Sequence, residues 1–167
     1  DAGLQFEEVA PFSLNGAVVS SSRVRGLLQQ GKLADANELL GRAYSLRGTV
    51  TTGARRGRTI GFPTANITGV VTLIPAEGVF MSGKLLAGAA NIGPNPTFGE
   101  VERKFEVHLL DFRGDLYGQE LHVEFLQHLR GTRPFASVES LIEQLQADVE
   151  AARRIVSPLR NPSEQSS

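Results

Sequence analysis

Two stretches, Lys104-Phe105-Glu106-Val107-His108-Leu109-Leu110-Asp111-Phe112 and Leu121-His122-Val123-Glu124-Phe125-Leu126, decide the fold class. In the first, Phe105, Val107 and Leu109 alternate with Glu106 and His108. In the second, Leu121, Val123 and Phe125 alternate with His122 and Glu124. A period of two gives a strand one apolar face for a core and one polar face for solvent or a ligand. Arg113-Gly114-Asp115 between the two predicts a hairpin that pairs them. Working outward, Tyr44–Val50 and Gly78–Leu86 are further short runs bounded by Gly, Pro, Asn and Asp. Residues 43–128 therefore read as β structure, and several short antiparallel strands without intervening helices predict a small barrel.

Helices flank this region. Over 137–156, Val138, Leu141, Ile142, Leu145, Val149, Ala152 and Ile155 form an apolar stripe at helical spacing. Ser137 can cap that helix, Glu139 suits the positive end of its dipole, and Arg153 and Arg154 suit the negative end. Residues 1–42 read as an appendage. Ser20-Ser21-Ser22 offers N-caps, Val24, Leu27 and Leu28 recur at helical spacing, and Gly31 is a stop. A second short helix follows over Leu33–Leu40, closed by Gly41. Two consecutive short helices also allow a helix-turn-helix reading, but only Lys32, Arg23 and Arg25 could meet phosphates. The tail after Pro158 is polar and reads as loose.

Charge is nearly balanced, at 17 basic against 18 acidic residues among 167. That argues against nucleic-acid and anionic-membrane surfaces, which need a basic excess. With no cysteine there are no disulfides, thiolate metal sites or cysteine nucleophiles, and a cytoplasmic protein is expected. No apolar run approaches a membrane span. The first residue is Asp1 rather than Met, which reads as an excised piece. With no Trp and three His, chemistry must rest on carboxylates, hydroxyls, arginines and backbone.

Gly48 to Asn66 concentrates such groups. A strand runs into Gly53-Ala54-Arg55-Arg56-Gly57-Arg58, where glycines let backbone N–H groups approach an anion and arginines supply charge. The order is not that of a P-loop. Pro63 fixes the turn, after which Thr64 and Asn66 present two hard oxygens suited to Mg²⁺ and phosphate. On composition alone, the same stretch also reads as a solvated loop and turn. Glu106 and Glu124 both sit on polar strand faces, and alternation does not choose between them.

Gly61-Phe62-Pro63-Thr64-Ala65-Asn66-Ile67 resembles the signature of riboflavin kinases. Further similar motifs follow in the family's order: Gly78-Val79-Phe80, Asn91-Ile92-Gly93-Pro94-Asn95-Pro96-Thr97-Phe98-Gly99, Phe105 to Phe112, Asp115-Leu116-Tyr117-Gly118, and Arg130 with Phe135. The resemblance spans about residues 42 to 156. Val19 to Arg42 is similar to the end of the adenylyltransferase domain that precedes this kinase in bifunctional bacterial FAD synthetases. An H-x-G-H motif is absent, so FAD synthesis is not expected of this piece.

The resemblance implies a mainly β fold, a six-stranded antiparallel Greek-key barrel with a C-terminal helix and an N-terminal helical appendage. It implies domain limits of 1–42 for the remnant and linker, 43–158 for the kinase, and 159–167 for a flexible tail. The implied reaction is ATP-dependent phosphorylation of riboflavin to FMN. Thr64 and Asn66 would hold Mg²⁺; Gly53, Arg58, Thr64, Leu109 and Tyr117 would bind ATP; Arg130, Arg133 and Phe135 would border the flavin. The family places its catalytic glutamate at Glu106, and a glutamate there would accept the hydroxyl proton. His108 reads as a hydrogen-bonded structural residue, and Asn91 and Thr97 as turn residues without chemistry. The chain departs from the family at Arg133-Pro134, near which a lysine is usual, so Arg133 would carry that charge; the Met81–Ala90 connection is also short. A non-catalytic flavin-binding barrel and a partner-docking module are the alternative readings.

Overall fold

A computed structural model describes residues 10–53, 56–82 and 86–156. Strands β1 (Ser13–Leu14) and β2 (Ala17–Val18) form a small ribbon. Helices α1 (Ser21–Gln29) and α2 (Leu33–Leu40) follow, then β3 (Tyr44–Thr51), a short α3 (Arg56–Thr59) and β4 (Ala65–Thr68). The chain continues through β5 (Gly78–Ser82), β6 (Gly88–Gly93), a 3-10 turn (Pro96–Phe98), β7 (Lys104–Leu109), β8 (Glu120–Arg130) and α4 (Val138–Val156).

The six strands β3 to β8 close into an antiparallel barrel in the order β3-β4-β7-β6-β5-β8. β5, β6 and β7 are consecutive neighbours, and β4 lies beside β7 after a long connection, which is Greek-key connectivity. Every strand sends a residue into one apolar cluster: Leu46, Val50, Ile67, Phe80, Ala90, Ile92, Phe105, Val107, Val123 and Phe125. Phe125 is the centre of its aromatic part. Its ring lies 5.4 Å from that of Phe80, 5.9 Å from Phe105 and 6.5 Å from Tyr44.

The hairpin predicted across Arg113-Gly114-Asp115 is not formed. β7 pairs with β4 and β6, whereas β8 pairs with β3 and β5. Residues 110–119 instead cross an end of the barrel and are tied to β3, where Gly118 N–H donates to Val50 O and Val50 N–H to Gln119 O, both at 2.9 Å. The local turn signal was real, but closing the barrel satisfies the edges of both strands better than pairing them together. The strand expected over Gly78–Leu86 is Gly78–Ser82; residues 83–85 of the short connection to β6 lie outside the described residues, as do 157–167 and the tail.

Both N-terminal helices form as predicted. Ser20 caps α1 through its hydroxyl to Arg23 N–H at 3.2 Å, and Gly41 closes α2 at φ 65°. Their buried face is not offered to DNA: Val24, Leu28, Leu33 and Ala36 join the barrel cluster. Asn37 fixes the docking, its Nδ2 donating to Phe125 O at 3.0 Å and its Oδ1 accepting from Tyr44 N–H at 2.7 Å. Helix α4 lies against the outside of the barrel, where Ala152 and Val156 meet Ala87 and Leu110.

Candidate active site

The polar faces of four strands line up in one row. Thr51 on β3 stands opposite Asn66 on β4, Asn66 opposite Glu106 on β7, and Glu106 opposite Asn91 on β6. Directly opposed residues share a sheet face. Because Ile67, Phe105, Val107, Ala90 and Ile92 are buried inside, this row points outward. Glu106 Oε2 accepts from Asn95 Nδ2 at 3.0 Å, and Asn95 Oδ1 accepts from Asn91 Nδ2 at 3.5 Å. His108, two residues along the same face, donates from Nδ1 to Pro63 O at 2.8 Å and meets the Phe62 ring edge-on at 5.5 Å. That bond is the structural role its sequence suggested: it pins the turn before Thr64 onto β7.

Two pockets open along the row. One is walled by Glu106, Asn91, the 94–100 loop, Thr132 to Phe135 and the near face of α4, and has a free volume of about 130 Å³. The other, about 560 Å³, is walled by Arg58, Thr64, Leu109, Phe112, Leu116 and Tyr117. Thr64 lines both, so the two adjoin at Thr64. Gly53 lets the chain pass close beside Asn66, since a Cβ there would run into its carboxamide. At Gly57 a Cβ would strike Phe62 O and stand 3.5 Å from Thr64 Oγ1.

An ion-pair cluster crosses the smaller pocket. Glu100 holds Arg56 of α3 at 2.8 Å and Lys104 of β7 at 2.7 Å, and the Arg56 guanidinium lies 5.1 Å from the centre of the Phe98 ring. The hydrogen bond from Lys104, aided by the charges of Lys104 and Arg56, holds the Glu100 carboxyl below its ordinary value against the opposing effect of burial.

The structure thus gathers most of the residues predicted from sequence. Arg58, Thr64, Leu109 and Tyr117 share the larger pocket; Glu106, Arg130, Arg133 and Phe135 share the smaller. Asn66 stands in the row beside Glu106, and Gly53 lies against Asn66. Ala54 and Arg55 of the Gly/Arg loop lie outside the described residues. Glu124 stands opposite Ser45 and borders neither pocket. Asn91 and Thr97 were expected to be turn residues without chemistry, but Asn91 lies in β6 within the row; Asn95 and Asp148 were not singled out. Asn91 is the polar member of β6 between buried Ala90 and Ile92, a signal too short to read. Thr97 Oγ1 accepts from Phe135 N–H at 3.2 Å. Asp148 was legible as the one acid on the apolar stripe of α4, which implies a buried cationic partner.

Among the described residues, no group of three His, Cys, Asp or Glu side chains is placed to hold a metal. The hydroxyl of Thr64 and the carboxamide of Asn66 are hard neutral oxygens, and they fit an ion that takes its remaining ligands from phosphates and water, as Mg²⁺ does.

Among the described residues, no helix is long and apolar enough to cross a membrane. The riboflavin kinase family (Flavokinase) matches residues 40–156. A bifunctional riboflavin kinase/FMN adenylyltransferase of Pseudomonas fluorescens is 40% identical over 162 residues, covering 93% of this chain and 52% of that protein. One of Bacillus subtilis is 40% identical over 152 residues, covering 85% and 48%. The chain spans about half the length of these curated relatives. A crystal structure described as a macrolide-efflux protein from Streptococcus pneumoniae is 37% identical with a TM-score of 0.76, covering 87% of this chain and 50% of that one; the efflux designation is that protein's own. With the family matching most of the chain, and relatives of this identity covering nearly all of it, the chain belongs to the riboflavin kinase family.

Proposed function

We propose that this domain transfers the γ-phosphate of ATP to the 5′-hydroxyl of riboflavin, giving FMN and ADP. The observation that carries the reading is the seam: the carboxylate Glu106 lines a pocket with Phe135 that shares Thr64 with a second pocket lined by Leu109 and Tyr117. ATP occupies the larger pocket, with its base near Leu109 and Tyr117 and its phosphates directed to Thr64, under Gly53 and Arg58. Riboflavin occupies the smaller, its ring against Phe135, bordered by Arg130 and Arg133. Glu106 accepts the proton of the 5′-hydroxyl as that oxygen attacks the γ-phosphorus; the bond to the bridging oxygen breaks and ADP departs. Asn95, itself bonded by Asn91, holds the carboxylate in place. Thr64 and Asn66 would hold Mg²⁺, which when bound neutralises charge on the transferring phosphates.

In the full-length protein we read residues 1–42 as the close of a preceding adenylyltransferase domain and its linker, 43–158 as the kinase, 159–167 as a tail, and the whole as cytoplasmic. The test is turnover of riboflavin with ATP, with and without Mg²⁺, followed by chromatography of the flavins. FMN formed only with ATP and the metal supports the proposal. Riboflavin binding without FMN identifies a flavin-binding barrel instead.

A further inference from the structure

Arg130 borders the acceptor pocket, and three of its five N–H groups are engaged within the protein. Its Nε donates to both oxygens of Asp148 at 2.9 and 3.0 Å, its Nη2 donates to Asp148 Oδ2 at 2.7 Å, and its Nη1 donates to Gly131 O at 3.1 Å. Asp148 is only 4% exposed, so this bidentate pair is held away from water. The network continues along α4. Gln144 Nε2 donates to Asp148 Oδ1 at 3.0 Å, and Gln144 Oε1 accepts from Arg133 Nη2 at 2.9 Å. The two guanidinium groups then lie 5.7 Å (Arg130) and 4.9 Å (Arg133) from the centre of the Phe135 ring, within cation–π range. One buried carboxylate thus fixes, directly or through one amide, both cations that hold the aromatic wall of the pocket.

We propose that Asp148 and Gln144 are positioning residues for the acceptor. Asp148 fixes Arg130, and Gln144 orients Arg133, so that Phe135 is presented as a preset flat surface for an aromatic ring system. The acceptor ring is then recognised by that surface. This rests on the reading of the pocket as the riboflavin site. A displaced wall misplaces the acceptor hydroxyl relative to Glu106, and displacements of about 1 Å cost up to ~100-fold in such reactions.

The experiment compares wild type, Gln144→Ala and Asp148→Asn by riboflavin KM, ATP KM, kcat, riboflavin affinity from flavin fluorescence, and thermal midpoint. Gln144→Ala leaves the Arg130–Asp148 pair intact and keeps the fold. It is expected to raise the riboflavin KM about tenfold, with ATP KM and thermal midpoint near wild type. Asp148→Asn is expected to raise riboflavin KM further while also lowering the midpoint. A riboflavin KM unchanged in Gln144→Ala, or riboflavin and ATP constants rising together, overturns the positioning role while leaving the kinase reading intact. A wild type that neither binds nor phosphorylates riboflavin overturns both.

Discussion

Replacing Glu106 by Gln tests the assignment of the base with almost no change in shape. In the native site Glu106 Oε2 accepts from Asn95 Nδ2 at 3.0 Å, leaving the other carboxylate oxygen to accept from a substrate hydroxyl. A glutamine can keep the first contact only by turning its single oxygen toward Asn95. Its amide then faces the hydroxyl with a donor where an acceptor is needed. The scaffold is unaffected, because Glu106 lies on the outer face of β7 and its core neighbours Phe105 and Val107 are untouched. A positioned general base contributes 10²–10⁴-fold, so the barrier should rise by about 2.7–5.4 kcal/mol at 1.36 kcal/mol per tenfold. The assay is kcat for FMN formation at saturating ATP and riboflavin, with the dissociation constants of both substrates measured separately. Glu106→Gln is expected to bind both substrates near normally and lose at least about a hundredfold in kcat. Glu124→Gln, beside Ser45 and away from both pockets, is expected to behave as wild type. Wild-type-like kcat for Glu106→Gln, with both substrates bound, would refute the assignment.

Three more expectations come from the same geometry. Gly53→Ala should displace the Asn66 carboxamide and lower kcat while the thermal midpoint hardly moves; a wild-type rate would show that the seam tolerates a side chain there. Phe125→Ala empties the fully buried centre of the barrel and should cost about 3–5 kcal/mol, a fall of roughly 6–20 °C in midpoint for a domain of this size, read by thermal denaturation. Glu100 titrates below its ordinary value in the folded state because Lys104 donates to it. Its contribution to stability is therefore complete above the ordinary carboxylate range and is lost as pH falls through the lowered folded value. The midpoint difference between wild type and Glu100→Gln should be constant near neutrality and vanish in acid; a difference that grows on acidification contradicts this.

The helices were legible because their signals are local. Ser20 and Gly41 cap where the sequence suggests, and the stripe of α4 runs four turns and more. β7 and the middle of β8 were legible because Phe105, Val107, Val123 and Phe125 alternate cleanly. Alternation tells which face is buried but not which strand is the neighbour, so the pairing of β7 with β8 was misread. β4, Ala65-Asn66-Ile67-Thr68, is short and sits in what reads as a turn. β6, Gly88 to Gly93, has little amphipathic contrast because its residues are small. The site divides in the same way. Motifs held Thr64, Asn66 and Glu106, whose spacing is local or strongly patterned. Asn91 joins the carboxylate only through cross-strand register and Asn95 through a loop side chain, and Asp148 meets Arg130 only when α4 docks.

The central claim is that one seam brings the γ-phosphate to the riboflavin hydroxyl. Single turnover with ATP radiolabelled at the γ-phosphorus, riboflavin and Mg²⁺ measures this directly. The account predicts that label passes into FMN in step with ADP formation. Label recovered only as inorganic phosphate or unreacted ATP, with both substrates bound, would contradict it.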